Sequence, residues 1–291
     1  MVRASQLTDI QRFVENELAH TVSDQVSSDC RYASIPQSLG GMIINADCFR
    51  ELSPWYSSGT LPSDLLDDLE SEVPEFTGCR YDRVQSRRLI RTHLTTATTN
   101  PASSASKDYL LRRIKWPIRK DRRPRVLIVN GGSGSGKTRF ATALPERIPS
   151  ELIIYATTLT SDAFGDEIVE YTRSAGGSVV FCFIYAHFVN AMERMIQRAC
   201  REGRYISASG MAKNHLMSFM TMAKLMNTYG KCSDIKFTSF RSDLGNFQSF
   251  PIDALQNMEF PTERKMTDDA YKIINIRIED ISPDLLRRII R

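Results

Sequence analysis

The sequence lacks long apolar segments and paired cysteines. No stretch approaches the roughly 18 uninterrupted apolar residues that a membrane-spanning helix needs, and the first residues lack the apolar run of a secretory signal. The six cysteines are scattered without a CxxC pair, which argues against a disulfide framework and against a zinc site. We therefore expect a soluble, cytoplasmic protein that makes no contact with a membrane.

Neither sign of charge dominates the chain. It has 291 residues, a net charge of +4 and 42% hydrophobic residues, enough for one large core or two modest ones. Residues 112–125 (RRIKWPIRKDRRPR) carry eight Lys or Arg against one Asp, so the rest of the chain is slightly acidic. Such a short basic run is typical of a solvated linker or domain edge, and contact with nucleic acid is the less favoured alternative.

The composition predicts five segments. Twelve small or polar residues at 95–106 (TTATTNPASSAS) predict a flexible linker, which continues through the basic run to residue 124. The other predicted segments are an N-terminal helical segment at 1–40, a segment with a short strand and a helix at 41–94, the main core at 125–245, and a C-terminal extension at 246–291 with a strand-like stretch at 273–278 and a helix at 282–290.

Strand and helix patterns alternate from residue 125 onward. The alternation predicts an α/β fold with a parallel sheet and helices on both faces. The predicted strands are 125–130, 151–157, 178–186 and 233–240, and the predicted helices are 137–144, 162–174, 188–201 and 213–227. Upstream, the same patterns predict a helix at 8–22, a short strand at 41–45 and a basic helix at 81–94.

A glycine-rich motif lies between the strand at 125–130 and the helix that follows it. Its residues match GxxxxGK[ST] and are Gly131, Gly132, Ser133, Gly134, Ser135, Gly136, Lys137 and Thr138. The glycines let backbone N–H groups converge on phosphate, Lys137 supplies a positive charge to the β- and γ-phosphates, and the Thr138 hydroxyl is suited to hold Mg²⁺. The motif therefore predicts binding of ATP and Mg²⁺.

The neighbouring strands lack the acids of other nucleotide users. Neither ELIIYATT nor SVVFCFIYAH ends in the Asp or Glu with which motor ATPases and helicases hold Mg²⁺, and the chain has no NKxD-like motif of a GTPase. The remaining class is a phosphotransferase, in which a carboxylate activates an acceptor hydroxyl and arginines stabilise the transferring phosphate.

From Val126 to about Gly245 the chain resembles the zeta-toxin group of P-loop kinases, which are related to polynucleotide and chloramphenicol kinases. The matching parts follow the family's order: the phosphate loop, LIIYATT with Thr160-Ser161-Asp162, SVVFCFIY, and the lid ERMIQRACREGRYISASGMAKNH. The resemblance implies a P-loop kinase fold and transfer of the γ-phosphate of ATP to a hydroxyl of a small molecule such as a UDP-amino sugar or a dinucleotide. It also implies a toxin or an effector delivered into another cell, with an inhibitory antitoxin-like partner.

The family's acid-bearing strand is missing from its usual place, because only twelve residues separate Thr138 from Glu151. Residues 42–54 (MIINADCFRELSP), upstream of the predicted linker, resemble that element. Our hypothesis is a circular permutation in which residues 41–94 supply the strand and helix that normally follow the phosphate loop. The alternative is that residues 1–94 form a separate domain, with Asp47 an ordinary surface acid.

The resemblance also assigns candidate site residues. Asp47 is the candidate general base, and Arg50 and Thr157 are candidate substrate-binding residues. The candidate catalytic arginines of the lid are Arg204 and Arg198, placed ahead of Arg194. His187 and His215 are assigned no role.

The acceptor does not follow from the resemblance, because Tyr155-Ala156-Thr157 stands where the family typically has Glu-Gly-Thr. Two further functions therefore stay open. One is a polynucleotide 5′-hydroxyl kinase, whose substrate the basic run would bind. The other is a catalytically degenerate nucleotide-binding interaction protein.

Overall fold

A computed structural model of the protein describes residues 5–58, 83–115, 123–144, 152–243, 246–256 and 258–290. The chain divides into two compact units, each built from separate stretches of sequence. The first unit comprises Met1–Gly41, Asn45–Lys107 and Gln197–Tyr205, and the second comprises Met42–Ile44, Asp108–Ile196 and Ile206–Arg291.

The second unit contains a six-stranded, mostly parallel sheet, so the predicted α/β class is confirmed. The strands lie in the order β1-β3-β2-β4-β5-β6, and only the β5–β6 pairing is antiparallel. They are β1 (Ile43–Ile44), β2 (Arg125–Asn130), β3 (Leu152–Thr157), β4 (Ser178–Tyr185), β5 (Ile235–Asp243) and β6 (Asn246–Ser249).

The strand β2 lies inside the sheet, between β3 and β4. Five of its six residues are buried, as expected for a continuous apolar run in a parallel sheet. Val129 packs in one core cluster with Ile154, Ile184 and Phe140. Each such side chain contributes about 1.5–3 kcal/mol when it is fully buried, so this cluster fixes the strand that leads into the phosphate motif.

The short strand β1 joins the sheet beside β3. Ile43 and Ile44 pair in parallel with Ile154 and Tyr155, and the backbone oxygen of Met42 accepts a hydrogen bond of 3.0 Å from the Ile154 backbone N–H. The prediction of a strand at 41–45 is therefore confirmed, although β1 is only two residues long.

Helices make up most of the remaining described structure. The helices of the first half of the chain are α1 (Ser5–Ser23), α2 (Gln25–Ser34), α3 (Ala46–Arg50), α4 (Pro54–Ser58) and α5 (Arg83–Lys115). Those of the second half are α6 (Lys137–Ala143), α7 (Asp162–Ser174), α8 (Phe188–Glu202), α9 (Ala208–Tyr229), α10 (Ile252–Gln256), α11 (Glu263–Ile276) and α12 (Pro283–Ile290). None of the helices within the described ranges is both long and apolar enough to cross a membrane.

The prediction of a flexible linker at 95–106 is wrong. These residues lie within the 33-residue helix α5, which includes Pro101. Its small side chains form a buried face that includes Thr98, Ala102 and Ala105. The Thr98 hydroxyl donates a hydrogen bond of 2.9 Å to the Leu94 carbonyl one turn earlier. The part of the predicted linker at 116–122 lies outside the described residues.

The predicted strand-like stretch at 273–278 is also wrong, because residues up to Ile276 belong to α11. The buried side chains of this helix are Met266, Ala270, Ile273 and Ile274, a spacing typical of a helix with one apolar face. The predicted helix at 282–290 is confirmed as α12.

Candidate functional site

The phosphate motif forms a loop between β2 and α6, as predicted. Gly134 and Gly136 have φ values of +74° and +92°, which side chains other than glycine rarely adopt. A Cβ atom on Gly134 would also collide with the backbone of Ala191. The loop follows the carboxyl end of β2, the edge of a parallel sheet at which ligands bind.

The Lys137 ammonium lies over this loop. Its Nζ donates hydrogen bonds of 2.8 Å to the Gly131 carbonyl and 2.7 Å to the Gly132 carbonyl. A phosphate oxygen carries a full negative charge and is a stronger acceptor than a carbonyl. An anionic ligand bound in the loop would therefore compete with these two carbonyls for the hydrogen bonds of the ammonium.

The Asn130 side chain anchors the start of the loop to α9. Asn130 is fully buried at the end of β2, and its Oδ1 accepts from the Gly131 N–H at 2.7 Å and from the Ser218 hydroxyl at 3.0 Å. Its Nδ2 donates to the Ser218 carbonyl at 3.2 Å. Neither residue is among the site residues predicted from the sequence; for Asn130, its place at the end of the apolar run RVLIVN is a usable signal.

His215 packs against the same loop from α9. A Cβ atom on Gly132 would collide with its imidazole ring, which also meets Phe188 edge-on at a centroid distance of 5.4 Å. Burial lowers the pKa of His215 to about 4, and the charge of Lys137 acts in the same direction, while the Ala186 backbone only partly opposes the shift. His215 is therefore neutral at physiological pH.

Arg194, from α8, braces the loop against β5. Its guanidinium donates to the Gly134 carbonyl at 3.2 Å, to the Ser242 hydroxyl at 3.2 Å and to the Ser242 carbonyl at 2.9 Å. These bonds hold Arg194 on protein acceptors. The structure thus places it as a support of the phosphate loop.

Thr157 ends β3 in register with Asn130 of β2. Its hydroxyl oxygen accepts a hydrogen bond of 3.1 Å from the Leu159 N–H, which leaves the hydroxyl proton available to a substrate. Thr138 is exposed at the beginning of α6.

The donor set of the loop fits a magnesium–nucleotide. Backbone N–H groups, an ammonium and the Thr138 hydroxyl are the groups with which phosphate loops hold such a ligand. The described part of the chain contains no group of three or more His, Cys, Asp or Glu side chains suited to a metal ion. Within the loop, Thr138 is the residue that would hold a magnesium ion, together with phosphate oxygens of the ligand.

A second cluster lies in the first unit, around Asp47. The Asn45 side chain caps α3 by accepting from the Cys48 N–H at 2.8 Å, which puts Asp47 in the first turn and Arg50 one turn later. Asp47 Oδ1 accepts from Arg50 at 2.9 Å, and its Oδ2 lies 3.3 Å from Arg204 and 3.9 Å from Arg198. The structure thus brings together four of the predicted site residues.

Further ion pairs surround this arginine–aspartate cluster, which we define as Asp47, Arg50, Arg198 and Arg204. Arg204 also pairs with Glu202 at 2.8 Å, and Arg91 pairs with Glu51 at 2.7 Å. The cluster itself has three arginines and one carboxylate, a net charge of +2.

The pKa shifts in this cluster and at the neighbouring Glu51 follow from burial and from nearby charges. Burial alone would lower the pKa of Arg204, but the charge of Asp47 and the hydrogen bond to Glu202 outweigh it, so the pKa is raised. Burial raises the pKa of Glu51, against the charge of Arg91. Burial lowers the pKa of Arg198, although Asp47 opposes that shift. A positively charged cluster of this kind can bind an anion such as a phosphate group.

A comparison with protein-family models finds no match, and a comparison with curated proteins finds no significant relative.

Proposed function

We propose that the protein is an ATP-dependent phosphotransferase that transfers the γ-phosphate of ATP to a hydroxyl of a nucleotide-like small molecule. The observation that carries this proposal is the phosphate loop, in which Lys137 Nζ lies within 2.8 Å of the Gly131 and Gly132 carbonyls. A loop of this composition after a parallel strand is typical of nucleoside triphosphate users. A toxin or effector role and an inhibitory protein partner rest on the resemblance to zeta toxins alone.

Each residue of the proposal has a defined task. Lys137 and the loop N–H groups bind the phosphates, and Mg²⁺ on Thr138 would neutralise phosphate charge. Asp47 takes the proton of the acceptor hydroxyl as that oxygen forms its bond to the γ-phosphorus, and the bond to the β-phosphate oxygen breaks to release ADP. Arg198 and Arg204 stabilise the transferring phosphoryl group.

Two acceptor contacts belong to the same proposal. Arg50 is paired with Asp47, so an anionic group of the acceptor that binds Arg50 would also orient the base. The Thr157 hydroxyl proton is available to an acceptor oxygen.

A circular permutation is part of the proposal. What supports it is the pairing of β1 with β3, since a segment that precedes the phosphate loop by about 90 residues contributes a parallel strand to the same sheet. The chain leaves β1 three residues before Asp47. A cut at a different connection leaves such strand pairing unchanged.

The test is a phosphate-transfer screen with labelled ATP and Mg²⁺ against UDP-sugars, nucleosides, NAD and 5′-hydroxyl oligonucleotides. We expect Lys137→Ala and Asp47→Asn each to reduce transfer by at least about a hundredfold, the loss expected when a charged group acts on the transition state. The matched controls Lys213→Ala and Asp268→Asn remove exposed residues of the same types and should keep wild-type transfer.

Different outcomes would identify different functions. Labelling of an oligonucleotide with a rate that falls steeply with salt would indicate a polynucleotide kinase instead. Binding of ATP by wild type without labelling of any acceptor would indicate a nucleotide-binding protein without transferase activity.

A further inference from the structure

The aromatic side chain of Phe247 lies beside the phosphate loop, and the proposed transfer reaction does not use it. Phe247 is on β6, opposite Ser242 of β5. A Cβ atom on Gly136 would lie 3.6 Å from the ring of Phe247 and 3.1 Å from the Ser242 hydroxyl. The β5–β6 hairpin therefore approaches the loop at the glycine that precedes Lys137.

An exposed arginine covers this ring. The guanidinium carbon of Arg139, two residues after Lys137, lies 5.8 Å from the centroid of Phe247, near the outer limit of about 6 Å for a cation–π contact. The ring of Phe140, a core residue, makes a T-shaped contact with the same ring at a centroid distance of 5.0 Å and so holds Phe247 in place. Phe247 is half-buried and Arg139 is exposed. The ring therefore has a rigid support and a cover that can move.

We propose that Phe247 and Arg139 form a stacking site for the nucleobase of a nucleoside triphosphate whose phosphates occupy the phosphate loop. This inference rests on the proposed function of that loop. A planar base between ring and guanidinium needs about 7 Å, two contacts of about 3.5 Å each. The exposed Arg139 side chain has to lift by only about 1 Å from its present 5.8 Å.

Phe247 and Arg139 would recognise a base by its face. Asn246 and Gln248 flank Phe247 in the strand, and alternation along a strand directs their side chains to the opposite face of the sheet. Stacking tolerates all bases, because each has a π-face. We therefore infer that the protein accepts ATP and GTP with similar affinity and binds pyrimidine nucleotides more weakly, since they have less area to stack.

The test compares a ligand that has a base with one that lacks it. Dissociation constants are measured by calorimetry for MgATP, MgGTP, MgCTP and magnesium tripolyphosphate on wild type, Phe247→Ala and Phe247→Trp. We expect Phe247→Ala to weaken MgATP binding by about tenfold, a typical effect of losing one base–aromatic stack, and to leave tripolyphosphate binding within about twofold. Phe247→Trp should restore MgATP binding, because it keeps a ring at this position.

The matched control is Phe250→Ala. Phe250 is a half-buried aromatic residue of the same segment that stacks on Tyr185 at 5.6 Å. The Phe250→Ala variant should bind MgATP and tripolyphosphate with the affinities of wild type. Thermal unfolding of each variant checks that the fold persists.

The outcomes separate this inference from the proposed function. If wild type binds neither tripolyphosphate nor MgATP, the phosphate loop is not a nucleotide site and both proposals fail. If wild type binds both ligands and Phe247→Ala leaves MgATP affinity unchanged, or weakens both ligands equally, the stacking site fails while the phosphate loop stands. A preference of wild type for MgATP over MgGTP by more than about a hundredfold would also overturn it, because a stack alone does not discriminate between purines.

Discussion

His215 is kept neutral mainly by its burial, and the charge of Lys137 in the phosphate loop adds to this effect. Burial and the nearby Lys137 lower its pKa from 6.5 to about 4. Between these two values the unfolded chain binds more protons than the folded protein, so stability falls as the pH decreases through this window. The full effect is about 3 kcal/mol, because one unit of pKa corresponds to about 1.4 kcal/mol.

We predict that wild type loses stability relative to His215→Gln between about pH 6.5 and pH 4. Glutamine stays neutral over this range, so the variant lacks the proton-linked loss. Urea unfolding at several pH values checks this, with His20→Gln as a control that removes an exposed histidine. Parallel curves for His215→Gln and wild type would contradict the prediction.

Single residues could be predicted from the sequence where a motif fixes their chemistry. Lys137 and the loop glycines follow from the spacing GxxxxGK[ST]. The grouping of Asp47 with Arg204 follows only from the order of parts in a family, because the two residues are far apart in the chain. His215 has no such signal: its role depends on which face of α9 packs against Gly132.

At the scale of an element, the helix α5 shows where composition fails to predict secondary structure. Residues 95–106 have no large apolar side chain, which is the usual signature of a linker. In the structure Thr98 and Ala102 are fully buried, because small side chains let a helix pack closely. Residues 273–276 predict a strand because they include β-branched isoleucines, which favour strands. In the structure these residues are helical, and Ile273 and Ile274 are buried on the apolar face of α11.

We predict that Ala102→Leu lowers the free energy of unfolding by about 1–3 kcal/mol, because three extra carbon atoms must enter a packed face. Ser104→Leu is the matched control on the exposed side of α5 and should change stability by less than about 0.5 kcal/mol. Urea unfolding measures both. Equal, small effects would indicate that this segment is the flexible linker that its composition suggests.

At the scale of the whole molecule, neither unit is a continuous piece of chain. The first unit includes Gln197–Tyr205, and the second includes Met42–Ile44. A composition-based division into consecutive domains places these two stretches with their chain neighbours. It therefore does not predict that Gln197–Tyr205 belongs to the first unit, and the strand at 41–45 is linked to the core only through the family's order of parts.

We predict that the fragment 95–291 does not fold to the stability of the full chain. It lacks β1, so the backbone groups of β3 that pair with Ile43 and Ile44 become an open sheet edge, which favours aggregation. Sedimentation and thermal unfolding of the fragment beside the full chain test this. A monomeric fragment with an unchanged melting temperature would show that residues 1–94 form an independent domain.

The position of β1 in the chain also has a consequence during synthesis. β1 pairs with β3, so Ile44 cannot form its strand pairing until Tyr155 has left the ribosome. At roughly 5–20 residues per second, these ~110 residues take about 5 to 20 s. For that time the apolar pair Ile43 and Ile44 is exposed and can contact other chains. Slower translation before residue 155 would lengthen this exposure and lower the yield of folded protein.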